Sequence, residues 1–268
     1  MAFDVSRMCW HQRKITPQTA REENAVPGGL FDACVFDLFD TLVYFSKEDY
    51  LEKVQKAAAL CGITENEYLN KWKATGVDSI LGRHATTTDR VHCFLKAIGT
   101  DANDNLVELL TGIEHQFLRD KTYWYDDAIS TLTQLRCLGI KLGLVTNASP
   151  SVREVISSRR IHEVIDELII SSEIRTAKPD IGIYIECMRR LGCSSARAAY
   201  VGDGNDRELD GAKRVGLFTI LIRRNDVRAF VFEQSSEGST DAIIDTLSLL
   251  PSMLGNSEDS QKGRHQET

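Results

Sequence analysis

Four segments of this chain place chemically competent side chains just after a short apolar run. Ala33-Cys34-Val35-Phe36 leads into Asp37-Leu38-Phe39-Asp40-Thr41. The run from Lys141 to Val145 leads into Thr146-Asn147-Ala148-Ser149. Leu168-Ile169-Ile170 is followed at some remove by Ala177-Lys178-Pro179-Asp180. Ala199-Tyr200-Val201 leads into Gly202-Asp203-Gly204-Asn205-Asp206-Arg207-Glu208. Converged on one crevice, these segments offer carboxylates, a hydroxyl, an amide and an ammonium. Several carboxylates cannot sit together ionised without a cation, because like charges raise one another's pKa. A hard dication such as Mg²⁺, which takes oxygen ligands and keeps water, resolves that conflict. A carboxylate can also attack as a nucleophile and form an acyl-phosphate. Thr146 and Asn147 supply neutral donors, and Lys178 a positive charge for a transferring anionic group.

The elements that must position these groups follow from hydrophobic spacing. Strands are expected at 33–36, 141–145, 168–170, 199–201 and 218–222, each short and apolar on both faces. Helices are expected at 128–138, 151–158, 181–191, 206–215 and 240–249. Strands alternating with helices imply a parallel sheet covered on both faces. In such open sheets the site lies beyond the C-terminal strand ends, where the four segments stand. Between the first and second strands, residues 47–119 carry only helical spacing, punctuated by Gly62, Gly76 and Gly99. The predicted fold class is therefore α/β, a Rossmann-like parallel sheet with an inserted all-helical domain. The expected boundaries are a disordered leader over 1–30, a core over 31–45 and 122–250, the insert over 46–121, and a disordered tail over 251–268. The leader ends at the break Pro27-Gly28-Gly29.

Composition narrows the field. The 268 residues carry 32 basic and 39 acidic side chains, a net charge of −7. That balance argues against a basic surface for nucleic acid or an anionic membrane. No apolar run reaches the ~18 residues that a membrane span requires. Seven widely spaced cysteines without a CxxC read as thiols of a reducing compartment rather than a disulfide framework. A cytoplasmic location and a monomer or homodimer are the corresponding expectations.

Taken in order, the four segments resemble the motifs of the haloacid dehalogenase (HAD) superfamily, and the helical insert resembles its C1-type cap. The resemblance spans roughly residues 33–250. It implies Asp37 as nucleophile and the backbone carbonyl of Phe39 as a Mg²⁺ ligand. It makes Thr146 a phosphoryl hydrogen-bond partner, and Lys178 the group that neutralises the phosphoryl and orients Asp37. Asp203 would be the principal acidic metal ligand beside Asp37. Glu208 is preferred to Asp206 as a further acid, because Glu208-Leu209-Asp210-Gly211-Ala212 fits the motif's continuation. Asp206 is expected to cap the helix that follows it. Asn147 and, from the loop Gly82-Arg83-His84, Arg83 are candidate substrate contacts.

One position departs from the pattern. Family phosphatases usually carry a general acid/base Asp two residues after the nucleophile, and this chain has Phe39 there. Asp40 is the nearby candidate for that role, although capping of a turn explains an Asp there equally well. The leading expectation is a Mg²⁺-dependent phosphatase of a small phosphorylated metabolite, working through an aspartyl-phosphate. An aromatic at this place also occurs in the metal-independent 2-haloacid dehalogenase branch, so that chemistry stays open. So does a catalytically weak binding or regulatory protein.

Overall fold

The computed structural model describes residues 31–224 and 234–255. The leader and most of the tail expected from sequence lie outside the described residues. Among the described residues, eight strands and ten α-helices follow in the order β1 Ala33–Phe36, β2 Val43–Tyr44, α1 Lys47–Cys61, α2 Glu65–Ile80, α3 Thr87–Ala97, α4 Asp104–Asp120 and β3 Tyr123–Trp124. Then come α5 Ala128–Cys137, β4 Lys141–Thr146, α6 Val152–Ser158, β5 Glu167–Ile170, α7 Ser171–Ile174 and α8 Ile181–Leu191. The chain continues through β6 Ala198–Gly202, α9 Glu208–Arg214, β7 Phe218–Ile222, β8 Ala242–Ile244 and α10 Leu250–Leu254.

Six strands form one sheet in the order β5-β4-β1-β6-β7-β8, and every neighbouring pair is parallel. Alternation along β1 sends Cys34 and Phe36 to one face and Ala33 and Val35 to the other, into separate apolar clusters. The Val35 face is closed by Tyr184, Cys187 and Leu191 of α8 with Leu209 and Ala212 of α9. Leu132 and Leu135 of α5 and Leu250 and Leu254 of α10 belong to the cluster on the opposite face. Burial on both faces is why the strands read as unbroken apolar runs. The chain leaves β1 toward β4 and β5, then crosses back to β6 on its other side. That switch point opens a crevice at the C-terminal end of β1, flanked by the ends of β4 and β6.

The four helices of the insert are delimited by local chemistry. The side chains of Ser46, Thr64, Thr86 and Asn103 each accept a hydrogen bond from the backbone N–H three residues on, satisfying a donor the helix leaves open. The insert's two connections run side by side as an antiparallel ribbon, with Val43 opposite Trp124 and Tyr44 opposite Tyr123. Arg224 clasps this hinge. It donates to the Thr41 carbonyl at 2.8 Å and to both Asp127 oxygens at 2.8 and 3.0 Å. Its guanidinium lies 3.9 Å from the Tyr125 ring centroid.

Three expectations are corrected. Residues 240–249 are not a helix: Ala242–Ile244 adds a strand beside β7, and a 3₁₀ turn follows at Leu247–Leu249. Ala242 and Ile244 face inward while Ile243 faces out, the period of a strand rather than a helix. The tail does not lose order at Pro251, because Leu250–Leu254 is helical with Leu250 and Leu254 buried. The helix expected from 206 begins at Glu208, and Asp206 does not cap it: its φ is +55° and it lies in an irregular turn.

Candidate active site

Asp37 is the first residue past β1, held by its backbone N–H donating to the Val201 carbonyl of β6 at 2.9 Å. The chain then turns sharply. Leu42 and Val43 N–H both donate to the Leu38 carbonyl, and Asp40 N–H donates to the Val43 carbonyl at 2.7 Å. Asp40 takes a left-handed backbone, φ +57°, a conformation Asp tolerates better than most side chains. The turn alone therefore accounts for Asp at this position. The Phe39 ring packs 5.9 Å from Phe45. Phe45 in turn meets Tyr50 of α1 at 5.7 Å and Phe117 of α4 at 5.2 Å. Phe39 is thus the core end of an aromatic wall that continues into the helical insert.

Lys178 reaches in from the loop before α8. Its Nζ lies 2.5 Å from Asp37 Oδ1, 2.6 Å from Glu208 Oε2 and 3.3 Å from the Tyr200 hydroxyl. Asn147, one residue past β4, fixes this loop from behind. Its Oδ1 accepts the Lys178 N–H at 2.7 Å and its Nδ2 donates to the Lys178 carbonyl at 2.9 Å. The same Nδ2 donates to Asp206 Oδ2 at 2.9 Å. Asn147 is therefore a brace for Lys178, tied to Asp206, in this arrangement. Thr146 is buried at the end of β4.

Glu208 opens α9 and is fully occupied. Tyr200 donates to its Oε2 at 2.7 Å and the Gly204 N–H to its Oε1 at 3.0 Å. Its own carbonyl accepts from Tyr184 at 2.7 Å. Gly202 is required here, because a Cβ would fall 2.0 Å from Glu208 Oε1. Asp203 is braced by Asn205, whose N–H and side-chain amide donate to its two oxygens at 3.0 and 2.6 Å.

Carboxylate oxygens of Asp37, Asp203 and Glu208 come within 4.8 Å of one another, and all three residues are buried. Three carboxylates therefore face one ammonium. Burial pushes the Asp37 carboxyl up to about 7; Lys178 pulls against this and Glu208 adds to it. Burial opposes the Lys178 charge too, yet Asp37 and Glu208 hold its pKa well above the usual lysine value. The net negative surplus and the all-oxygen donor set fit a hard dication.

In their spacing, Tyr200 and Tyr184 carry no mark of the site in the sequence. Each reads as a core aromatic by spacing, and only the hydroxyls' contacts show their part in the cluster. A phenol in the strand leading directly into Gly202-Asp203 was the available signal. Arg83 stands apart from the cluster. Its side chain is 65% exposed and paired with Asp78. The neighbouring Gly82 instead marks a tight seam, since a Cβ there would lie 2.1 Å from the Ser172 carbonyl. Ser171 bridges the same seam, donating to the Ile80 carbonyl at 2.9 Å and accepting the Ala148 N–H at 3.0 Å.

A parallel sheet with an aspartate-bearing turn at its switch point and a helical insert beyond β1 is the arrangement of a class of hydrolases. The profile described as haloacid dehalogenase-like hydrolase matches residues 34–222, and the chain belongs to that family. It is 33% identical to the glyceraldehyde 3-phosphate phosphatase of Methanopyrus kandleri, over 73% of this chain and 85% of that one. It is 26% identical to (S)-2-haloacid dehalogenase 1 of a Pseudomonas species, over 72% and 84% of the two chains. Among solved structures, a HAD phosphatase from Thermococcus onnurineus superposes with a TM-score of 0.59 at 27% identity, over 84% of this chain and 98% of that one. Among the described residues, no helix is long and apolar enough to cross a membrane.

Proposed function

We propose that the chain is a Mg²⁺-dependent phosphatase of a small phosphorylated metabolite, acting through an aspartyl-phosphate at Asp37. The observation that carries this reading is the imbalance, among the described residues, of three buried carboxylates against the ammonium of Lys178. Asp37 and Asp203 would hold the ion, with Glu208 beside them. When bound, it would neutralise the carboxylates and polarise a phosphoryl oxygen. Lys178 draws Asp37 toward its ionised form against the effect of burial and aims it, and its ammonium would stabilise the charge of the incoming phosphoryl group. Thr146 supplies a neutral donor from the end of β4, and Asn147 holds the Lys178 loop. The relatives' names, phosphatases among them, favour a phosphoryl substrate. A helical insert placed beside the crevice, closing over it as a cap, would favour a small substrate over a macromolecule. The proposed division is a core over 31–45 and 122–250 and a cap over 46–121.

The test is phosphate release from p-nitrophenyl phosphate and a panel of small phosphorylated metabolites, with Mg²⁺ and with EDTA. Activity that survives both EDTA and Asp37→Asn would sink the proposal. Phe39 and the similarity to a 2-haloacid dehalogenase support a second reading, ester formation at Asp37 with halide loss. Metal-independent chloride release from 2-chloropropionate would establish that reading in its place.

A further inference from the structure

We infer that the site is built for phosphoryl compounds whose leaving group departs as a stable anion, namely aryl, enol or acyl phosphates, rather than simple alkyl phosphates. The inference rests on the phosphatase reading and concerns where the proton for the leaving oxygen could come from. Among the described residues, the proton donors seen in contact with the cluster already give their protons to internal acceptors. The three protons of Lys178 point to Asp37, Glu208 and Tyr200. Tyr200 gives its proton to Glu208 Oε2, and Tyr184 gives its own to the Glu208 carbonyl. The Asn147 amide donates to Lys178 and Asp206. The carboxylates are held as acceptors: Glu208 by three donors and Asp203 by the two from Asn205. A threonine hydroxyl such as that of Thr146 is no more acidic than the alcohol it would have to protonate. Two residues beyond Asp37, the Phe39 ring is packed into the wall with Phe45, Tyr50 and Phe117. That position therefore offers hydrocarbon instead of an acid.

The chemistry follows. An Asp37 oxygen attacks phosphorus, the P–O bond to the leaving group breaks, and the leaving oxygen keeps the electron pair. Water then attacks the same phosphorus, the P–O bond to Asp37 breaks, and the carboxylate is restored while the proton of water passes to the phosphate product. Unprotonated departure is tolerable for a carboxylate, with a conjugate acid near ~4, or a phenolate, near ~10. It is prohibitive for an alkoxide, whose conjugate acid lies near that of water at ~15.7.

The experiment measures kcat/KM with Mg²⁺ for glycerol phosphate, a series of ring-substituted phenyl phosphates and acetyl phosphate, plotted against leaving-group pKa. The expected result is a steady rise as that pKa falls, with phenyl phosphate at least ~10²-fold above glycerol phosphate, the range general-acid help would otherwise supply. Phe39→Asp should raise the glycerol phosphate rate and flatten the plot; if that variant does not fold, the wild-type slope still decides. A flat wild-type plot overturns the inference while leaving the phosphatase reading intact. So does a selective loss of alkyl phosphate turnover in Asp40→Asn or Asp206→Asn, which would identify a carboxyl donor. Absence of phosphate release from every compound removes the phosphatase reading and this inference together.

Discussion

Among the described residues two buried lysine–carboxylate clusters stand out, one in the sheet crevice and one inside the helical insert, and they are balanced in opposite ways. In the crevice, Lys178 meets Asp37 and Glu208, with Asp203 close by. In the insert, Lys53 of α1 pairs with Glu114 of α4 at 2.6 Å, and the second cation, Arg90 of α3, adds to the field that Glu114 feels. The crevice carries surplus negative charge, among polar groups. The insert carries surplus positive charge, spread over aromatic faces. Lys53 lies 5.0 Å from the Tyr50 ring, 5.3 Å from Phe117 and 5.5 Å from Trp72, and Arg90 lies 3.9 Å from Trp72. Ring faces stabilise cations, so the insert meets its excess from within. The crevice has no internal cation left to offer among the described residues around it. A buried ion pair alone therefore does not mark a site, whereas the sign of the imbalance and what answers it do.

The sharpest division between the clusters is Asp37→Asn. It should lower phosphate release by about 10⁴-fold or more while leaving the thermal midpoint near that of wild type. A matching loss of stability would mean the crevice cluster is structural after all. The insert should respond in the reverse sense. Lys53→Met strands Glu114 without its partner and should cost about 3–5 kcal/mol in urea unfolding, whereas Lys53→Met with Glu114→Leu should recover most of it. If the double variant stays as unstable as the single one, the pair is more than an exchangeable packing unit.

The part of this contrast legible in sequence was the crevice. Asp37, Thr146, Lys178 and Asp203 announce themselves because they follow apolar strands in an order that a parallel sheet must bring together. The insert's cluster was silent, since Lys53 and Glu114 sit at helical positions where a charged residue reads as a solvated face. Asp206 departs from its expected capping role for a related reason. Helix-cap statistics describe the next few residues, while its actual partner, Asn147, is distant in sequence. Ala242–Ile244 is ambiguous in sequence because Ile243, Ile244, Leu247 and Leu250 fit a helical stripe as well as they fit a strand and a turn. Pairing with β7 settled the matter, and pairing is not a local property.

Metal addition should separate the clusters again, with a smaller effect. Mg²⁺ at 100 times its dissociation constant should stabilise the wild type by ~2.7 kcal/mol, and Asp203→Asn should abolish the increment. Hydrogen exchange should show the gain at residues 37–41 and 202–208 and little change in α1–α4. An equal gain throughout the insert would show that the two regions are energetically one.

Acid should find the insert's weak point with the smallest effect. Burial works against the Glu114 charge, but Lys53 and Arg90 prevail and hold its carboxyl below the usual glutamate value. Its folded pKa is therefore depressed. The stability it contributes is present above the unfolded value near ~4.3 and fades as pH falls through the folded one. Unfolding of the insert followed by Trp72 fluorescence should steepen with acid below about pH 4. Glu114→Gln should remove that dependence, and an unchanged profile would place the acid-sensitive group elsewhere.

The ribbon of Val43–Tyr44 and Tyr123–Trp124 has a consequence for how such a protein can change over evolutionary time. Because the insert leaves and re-enters the core through two paired strands, its ends meet. From the side of the sheet, the whole helical domain is topologically a hairpin loop. A loop whose ends are already joined can grow, shrink or be exchanged without moving the strands that carry Asp37 and Asp203. The helical insert and the sheet that carries the carboxylate cluster are, in this sense, separable modules spliced at a hydrogen-bonded joint.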